Sequence, residues 1–217
     1  MKIVVYTSIA GNRTKLVEAP AHKDNTRFVA ITDDVPRAQE LGWEAMELPK
    51  FTTYPFYEPR RNAKVAKMLP SLFFDWDYTI YADANVRLNI NPQVWIDKYL
   101  AGTDIAMYKH PERNCAYDEI GACGLGNKDL PGSLEETGNW LHNNMWKKNM
   151  GLWCGYLIIR RNTLAVQAFG LTWWELICKL SSRDQLTMPF ALAKHKLVPA
   201  TIPGQICNTP DIDYRPS

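Results

Sequence analysis

Short apolar runs that each stop on polar side chains recur along the chain: KIVVYTS (2–8), RFVAITDD (27–34), DYTIYADAN (77–85), TDIAMYKH (103–110) and LWCGYLIIRR (152–161). Runs of this length, rich in β-branched residues, are what strands covered on both faces require. Segments with helical spacing lie between them. RRNAKVAKMLPSLFF (60–74) puts Val65, Met68, Leu69 and Leu72 on one face and Arg60, Lys64 and Lys67 on another, and Pro70 ends or kinks it. Asn91 and Pro92 read as N-cap and first-turn proline of a helix over 92–102 that Gly102 closes. Ser133 to Glu136 and Ser182 to Gln185 read as capping boxes, the first for a helix over 133–149, the second ahead of 186–195. Residues 163–180 read as a long, mostly apolar helix, and 196–204 as a late edge strand on account of its prolines. Residues 10–25 read as loop, with a short helix at most, and 115–127 fit helix or loop equally. Strands alternating with helices predict an α/β fold with a mainly parallel central sheet, here as one domain over 1–217. In such sheets ligands gather at the carboxyl ends of the strands, where Asp33, Asp34, Asp83, Asn85, Lys109 and His110 all stand.

The 217 residues, 46% hydrophobic, are enough for one sizeable core. A net charge of +2 neither demands nor excludes nucleic acid. No stretch approaches the roughly 18 apolar residues of a membrane span, and the first apolar run is too short for a signal sequence. A soluble, cytoplasmic chain without a membrane anchor is the expectation. Cys115, Cys123, Cys154, Cys178 and Cys207 are odd in number and form no CxxC pair, which points to reduced thiols rather than a zinc site. A P-loop kinase or an NAD enzyme is disfavoured, because there is no GxxxxGK[ST] and no GxGxxG after the first strand.

Asp83-Ala84-Asn85 ends the third run. Alternate residues there can aim two oxygen ligands at one point, as hard cations bridging to phosphates require, and the same residue types also make ordinary turns. The stripe Arg60, Lys64, Lys67 precedes that strand and can lie along a diphosphate or face solvent. Arg61 falls nearer the apolar face and calls for an anionic partner. Residues 109–120 concentrate Lys109, His110, Arg113, Tyr117, Asp118 and Glu119, either as a polar surface loop or with a carboxylate acting as general base for an acceptor hydroxyl. Asp184 falls in a first helical turn, where acids are ordinary. His195 reads as a helix C-terminal histidine rather than a metal ligand. Trp153, Trp173 and Trp174 offer a stacking face for a sugar or base, or fill the core.

Five stretches, RRNAKVAKMLP, YTIYADANVRL, HPERNCAYDEI, GLWCGYLIIRRN and SSRDQLTMPFALAKH, together and in this order resemble a family of glycosyltransferase-like proteins of the TOD1/MUCI70 type. That family is best known from plant Golgi proteins of cell-wall polysaccharide synthesis, has bacterial and viral relatives, and is similar to the glycogenin-like glycosyltransferases. The resemblance covers about residues 55 to 200 and implies a GT-A (Rossmann-like) nucleotide-diphospho-sugar transferase fold. It implies transfer of a hexosyl or pentosyl group from a nucleoside-diphosphate sugar, a UDP-sugar foremost, to the hydroxyl of an acceptor glycan. Tyr6, Thr7 and Ser8 would sit by the base, and Asp33 or Asp34 near the base or ribose. Arg61, Lys64 and Lys67 would face the diphosphate. Asp83 and Asn85 take the place of the aspartate-x-aspartate motif and would hold Mn²⁺ or Mg²⁺. His110, Arg113, Tyr117 and Glu119 match an HPxRxxxYxE pattern that would line the sugar and acceptor pocket. Asp184 and Gln185 would touch the transferred sugar, with Glu119, Asp184 and His110 as catalytic candidates. One departure is Ser71, where a histidine is expected. Two alternatives stand beside this reading. The basic run Arg160-Arg161 and the tryptophans suit an enzyme that glycosylates hydroxylated bases in DNA. Asn85 in place of a second aspartate suits a non-catalytic nucleotide-sugar-binding protein.

Overall fold

A computed structural model describes residues 1–11, 14–21, 26–51 and 58–215. Seven strands form the main sheet: β1 (Ile3–Ile9), β2 (Thr26–Thr32), β3 (Glu44–Glu47), β4 (Tyr78–Ala82), β6 (Ile105–Lys109), β7 (Trp153–Arg161) and β8 (Ala200–Ile202). A second ribbon pairs β5 (Val86–Leu88) with β9 (Ile212–Tyr214). The helices are α1 (Val35–Glu40), α2 (Pro59–Met68), α3 (Pro92–Tyr99), α4 (Ala116–Leu125), α5 (Pro131–Asn143), α6 (Leu164–Lys179) and α7 (Asp184–Lys194).

The strand order is β3-β2-β1-β4-β7-β6-β8. β1 lies parallel to β2 and β4, β2 to β3, and β6 to β8, while β7 runs antiparallel between β4 and β6. This is the α/β, mainly parallel sheet expected from the alternation. The chain leaves β1 to one side for β2 and later returns to the other side for β4. That reversal opens a crevice at the carboxyl ends of β1 and β4, the usual ligand position in such sheets.

Each central strand is apolar on both faces. Val4, Tyr6, Val29, Ile31, Ile105 and Ile158 face α2, α6 and α7, with Met68, Phe169, Trp173 and Met188 in the same cluster. Ile3, Val5, Phe28, Ile80, Tyr108 and Ile159 face the other way, onto Ala38, Trp95 and Ile96 of α1 and α3. Burying one large apolar side chain contributes about 1.5–3 kcal/mol, so both layers are strongly held. α2 approaches α6 closely because position 170 is glycine: a Cβ there would lie 2.3 Å from the Met68 carbonyl oxygen.

Several local expectations need correcting. The Asn91 cap forms, accepting from the Gln93 amide at 2.9 Å, but the helix stops at Tyr99 rather than running to Gly102. α2 ends just before Pro70, which starts a 3₁₀ turn. Neither capping box exists. α5 begins earlier, at Pro131, so Ser133 lies inside it. Ser182 donates to Asp129 Oδ2 at 3.1 Å instead of capping α7. Within 115–127, Ala116–Leu125 form helix α4, and no run in the sequence announces α1, β3 or the β5–β9 ribbon. The expected loop over 10–25 falls partly outside the described residues. Among the described residues no helix is long and apolar enough to cross a membrane, and the five cysteines are unpaired.

Candidate functional site

The crevice between β1 and β4 holds a cleft of about 450 Å³. β1 supplies Ser8, Ile9 and Ala10, β4 and its turn supply Tyr81 and Asp83 to Asn85, and β7 supplies Gly155 and Tyr156. α2 contributes Arg60, Lys64 and Lys67, and the start of α7 contributes Arg183, Asp184 and Gln185. A second hollow of about 900 Å³ adjoins it, sharing Ile9, Thr14 and Asn85, and extends past Asp33 to Arg37 and Leu41. The two hollows form one trough along the carboxyl rim of the sheet.

Its charge centre is Asp184. One oxygen, Oδ2, accepts from Lys67 Nζ at 2.5 Å and lies 3.0 Å from Lys64 Nζ. Lys67 Nζ is also 3.7 Å from Asp83 Oδ1 and 4.8 Å above the Tyr81 ring. Asp184 opens α7, so the helix dipole adds to the two ammonium groups. Burial alone would push its carboxyl upward, but Lys64 and Lys67 hold it far below the usual carboxylate range. Burial lowers the Lys64 ammonium to about 8, helped by repulsion from Lys67 and opposed by Asp184. Burial also works against Lys67, yet Asp184 and Asp83 together leave it raised. Glycine at 155 lets β7 pass close beside this cluster. A Cβ there would lie 2.9 Å from both Lys67 Nζ and Asp184 Oδ2.

Asp83 makes the turn that its residue type suggested. Its carbonyl accepts from the Val86 amide at 2.9 Å, which closes a turn. Its carboxylate faces the cleft, with Oδ1 accepting from the Tyr81 hydroxyl at 2.8 Å. As a divalent-cation site the pair is poor. Oδ1 is engaged by a phenol and faces an ammonium, Asn85 is neutral, and no group of three or more His, Cys, Asp or Glu converges among the described residues. The residues present do not fit the Mn²⁺ or Mg²⁺ that the resemblance implied.

The corner between α6 and α7 is fastened from outside. Asp129 Oδ2 accepts from Ser181 Oγ at 2.6 Å and from the Ser182 amide at 2.8 Å. That clamp delivers Arg183, whose guanidinium donates to Gln185 Oε1 at 3.0 Å on the cleft wall. Arg183 was missed in the sequence, although it lies inside the RDQ element that drew attention to its neighbours.

The other candidates divide. Ser8 lines the cleft and Thr7 is buried behind it. Asp33 borders the second hollow and accepts from the Gly11 amide at 2.8 Å, while Asp34 caps α1. Tyr6 is fully buried, donates to the Lys67 carbonyl at 3.1 Å and accepts from Arg160, so it belongs to the core and not beside a base. Arg61 turns away from the cleft and donates to the carbonyls of Ile177, Cys178 and Leu180 at the end of α6. The anionic partners it called for are the Glu58 carboxylate, 3.5 Å from its Nε, and a helix C-terminus.

His110, Arg113, Tyr117 and Glu119 do not line the cleft. Glu119, 1% exposed, accepts from Arg113 Nε at 2.5 Å and lies 3.5 Å from His110 Nε2. His110 Nδ1 accepts from the Arg113 amide at 3.1 Å, and burial lowers this imidazole. Tyr117 donates to the Trp146 carbonyl at 2.8 Å. This cluster pins the loop after β6 to α4, and neither Glu119 nor His110 borders the cleft. His195 ends α7 with Nε2 2.8 Å from Thr172 Oγ1. No tryptophan borders either hollow, and Trp173 is fully buried.

Residues 42–206 match the family described as TOD1/MUCI70, glycosyltransferase-like domain. No curated protein matches the sequence. Among solved structures, apo mouse xyloside xylosyltransferase 1 aligns with a TM-score of 0.53 at 8% identity, over 92% of this chain and 84% of that one. The glycosyltransferase GlyE of Streptococcus pneumoniae TIGR4 aligns with a TM-score of 0.50 at 13% identity, over 93% of this chain and 45% of that one. This chain thus spans less than half of the GlyE chain. At such identities the likeness is one of fold, the GT-A type.

Proposed function

The chain belongs to the TOD1/MUCI70 glycosyltransferase-like family, and from that premise we propose that its cleft binds a nucleoside-diphosphate sugar and passes the sugar to an acceptor hydroxyl. One observation carries this reading. A buried lysine and a partly exposed one converge on one carboxylate in a cleft that continues into a second hollow bordered by Asp33. The second hollow suits the nucleoside, with Asp33 able to accept from ribose hydroxyls. The lysine cluster suits the diphosphate, and Asp184 Oδ1 with Gln185 suits the hydroxyls of the sugar.

In the reaction the bond from the sugar's anomeric carbon to the diphosphate oxygen breaks and a bond from the acceptor oxygen forms. The nucleoside diphosphate leaves with the electron pair, and the acceptor proton passes to solvent or to the released diphosphate. Charge develops on the leaving phosphate, where fixed cations in a partly dry cleft act most strongly. Asp184 is a weak candidate for general base, because two lysines hold it firmly ionised. Its role is to fix the lysines and orient the sugar.

A glycan hydroxyl is the acceptor we favour. The DNA alternative loses the basic run that suggested it, since Arg160 is 1% exposed and Arg161 donates to the Leu100 carbonyl. The test is a thermal-shift screen of nucleoside diphosphates and their hexosyl and pentosyl sugars, UDP-sugars first, followed by donor hydrolysis. A ligand at about 100 times its dissociation constant stabilises the fold by roughly 2.7 kcal/mol, a visible shift. One nucleotide sugar that both stabilises and turns over supports the reading. Stabilisation without turnover in any acceptor mixture favours the binding-protein alternative, and no stabilisation by any of them removes the reading.

A further inference from the structure

We infer that this cleft neutralises its diphosphate with its own fixed ammonium groups, Lys64 and Lys67, in place of a divalent cation. The inference rests on the nucleotide-sugar reading above and sharpens it.

Lys67 is 3% exposed, yet its Nζ borders the cleft. It sits 2.5 Å from Asp184 Oδ2 and 3.7 Å from Asp83 Oδ1. Lys64 Nζ is 3.0 Å from the same Asp184 oxygen. Arg183 stands on the same wall, so three cationic side chains, Lys64, Lys67 and Arg183, oppose two carboxylates. The excess has the sign that a diphosphate calls for.

The place where a cation would be sought is already electropositive. A metal ion on Asp83 would share that carboxylate with the Lys67 ammonium and the Tyr81 hydroxyl, and Asn85 would offer it no charge. A hard cation bound through one or two carboxylates relies on their negative charge, and here Asp83 already faces the Lys67 ammonium at 3.7 Å. Glycine at 155 makes just enough room for it beside β7, since a Cβ would lie 2.9 Å from Nζ.

The experiment is calorimetric titration of inorganic pyrophosphate into the whole protein, in EDTA and in MnCl₂, repeated with Lys64→Gln, Lys67→Met and Asp83→Asn. We expect binding in EDTA at least as tight as with Mn²⁺, weakened tenfold or more by either lysine substitution. Asp83→Asn removes a negative charge facing the ligand and should tighten binding severalfold. Binding that needs Mn²⁺, or that Asp83→Asn abolishes, overturns the inference, as does an absence of binding. The wild-type comparison and Asp83→Asn decide the matter even where Lys67→Met fails to fold. Nucleotide-sugar turnover that requires Mn²⁺ would remove this inference and leave the transferase reading standing. Pyrophosphate bound in EDTA with no turnover of any nucleotide sugar would do the reverse.

Discussion

Two ionic clusters of similar make-up lie near the same rim of the sheet, and they differ in one respect. Around Glu119, Arg113 and His110 both approach one oxygen, Oε2, and the group is buried in protein. Around Asp184, two lysines crowd one oxygen and the group faces a cavity. The first is shut and the second open. The first combines its acids and bases within a short motif, whereas the second joins residues 117 apart. Access separates a fastening from a site.

Substitutions can break this contrast. Lys67→Met should give the largest effect, lowering turnover by about 100-fold or more, as loss of one fixed charge-stabilising donor typically does. Its stability should fall as well, because Asp184 loses its closest partner. Steady-state kinetics on the folded fraction checks it. Gly155→Ala comes next. Its methyl would displace Lys67 or Asp184, and donor affinity should drop roughly tenfold, equivalent to about 1.4 kcal/mol. Retained affinity in Gly155→Ala would mean that the pair can shift without harm.

Glu119→Gln should act in the opposite sense. Denaturant unfolding should show a loss of about 2–3 kcal/mol, towards the low side for a buried pair because Arg113 keeps some contact with water. The turnover of its folded fraction should stay near that of the parent. A collapse in turnover without a loss of stability would return Glu119 to the list of catalytic candidates. The smallest effect is in pH. Lys64 falls from its ordinary 10.5 to about 8 in the folded chain. Diphosphate affinity should therefore decline as pH rises through 8, with proton uptake on binding detectable by calorimetry in two buffers. Between about 8 and 10.5 the unfolded chain holds the extra proton at this residue, so the Lys64 contribution to stability rises with pH there.

The sheet was legible because its central strands are apolar on both faces, which leaves a contiguous signature. β3 reads Glu-Ala-Met-Glu at an edge, and β5 and β9 have three residues each, so no such run exists to find. In the site, Lys64, Lys67 and Asp83 were legible from helical spacing and from their place at a strand end. Arg61 went astray because helical spacing says which face a side chain occupies but not which neighbour covers that face. The end of α6 lies more than a hundred residues away and could not be foreseen. The Ser182 capping box failed for a similar reason: Asp129 competes for Ser182 and wins.

β7 comes from the last third of the sequence and is inserted between β4 and β6, in the middle of the sheet. Lys67 and Asp184 are 117 residues apart. During synthesis the helix with both lysines therefore emerges long before the carboxylate that holds them. Until then no wall exists on the far side of the crevice, and the ammonium groups must stay hydrated. Assembly of the cleft is thus a late, long-range event in folding, of the kind that slows it. Binding competence should appear together with the final cooperative step and not in any amino-terminal fragment.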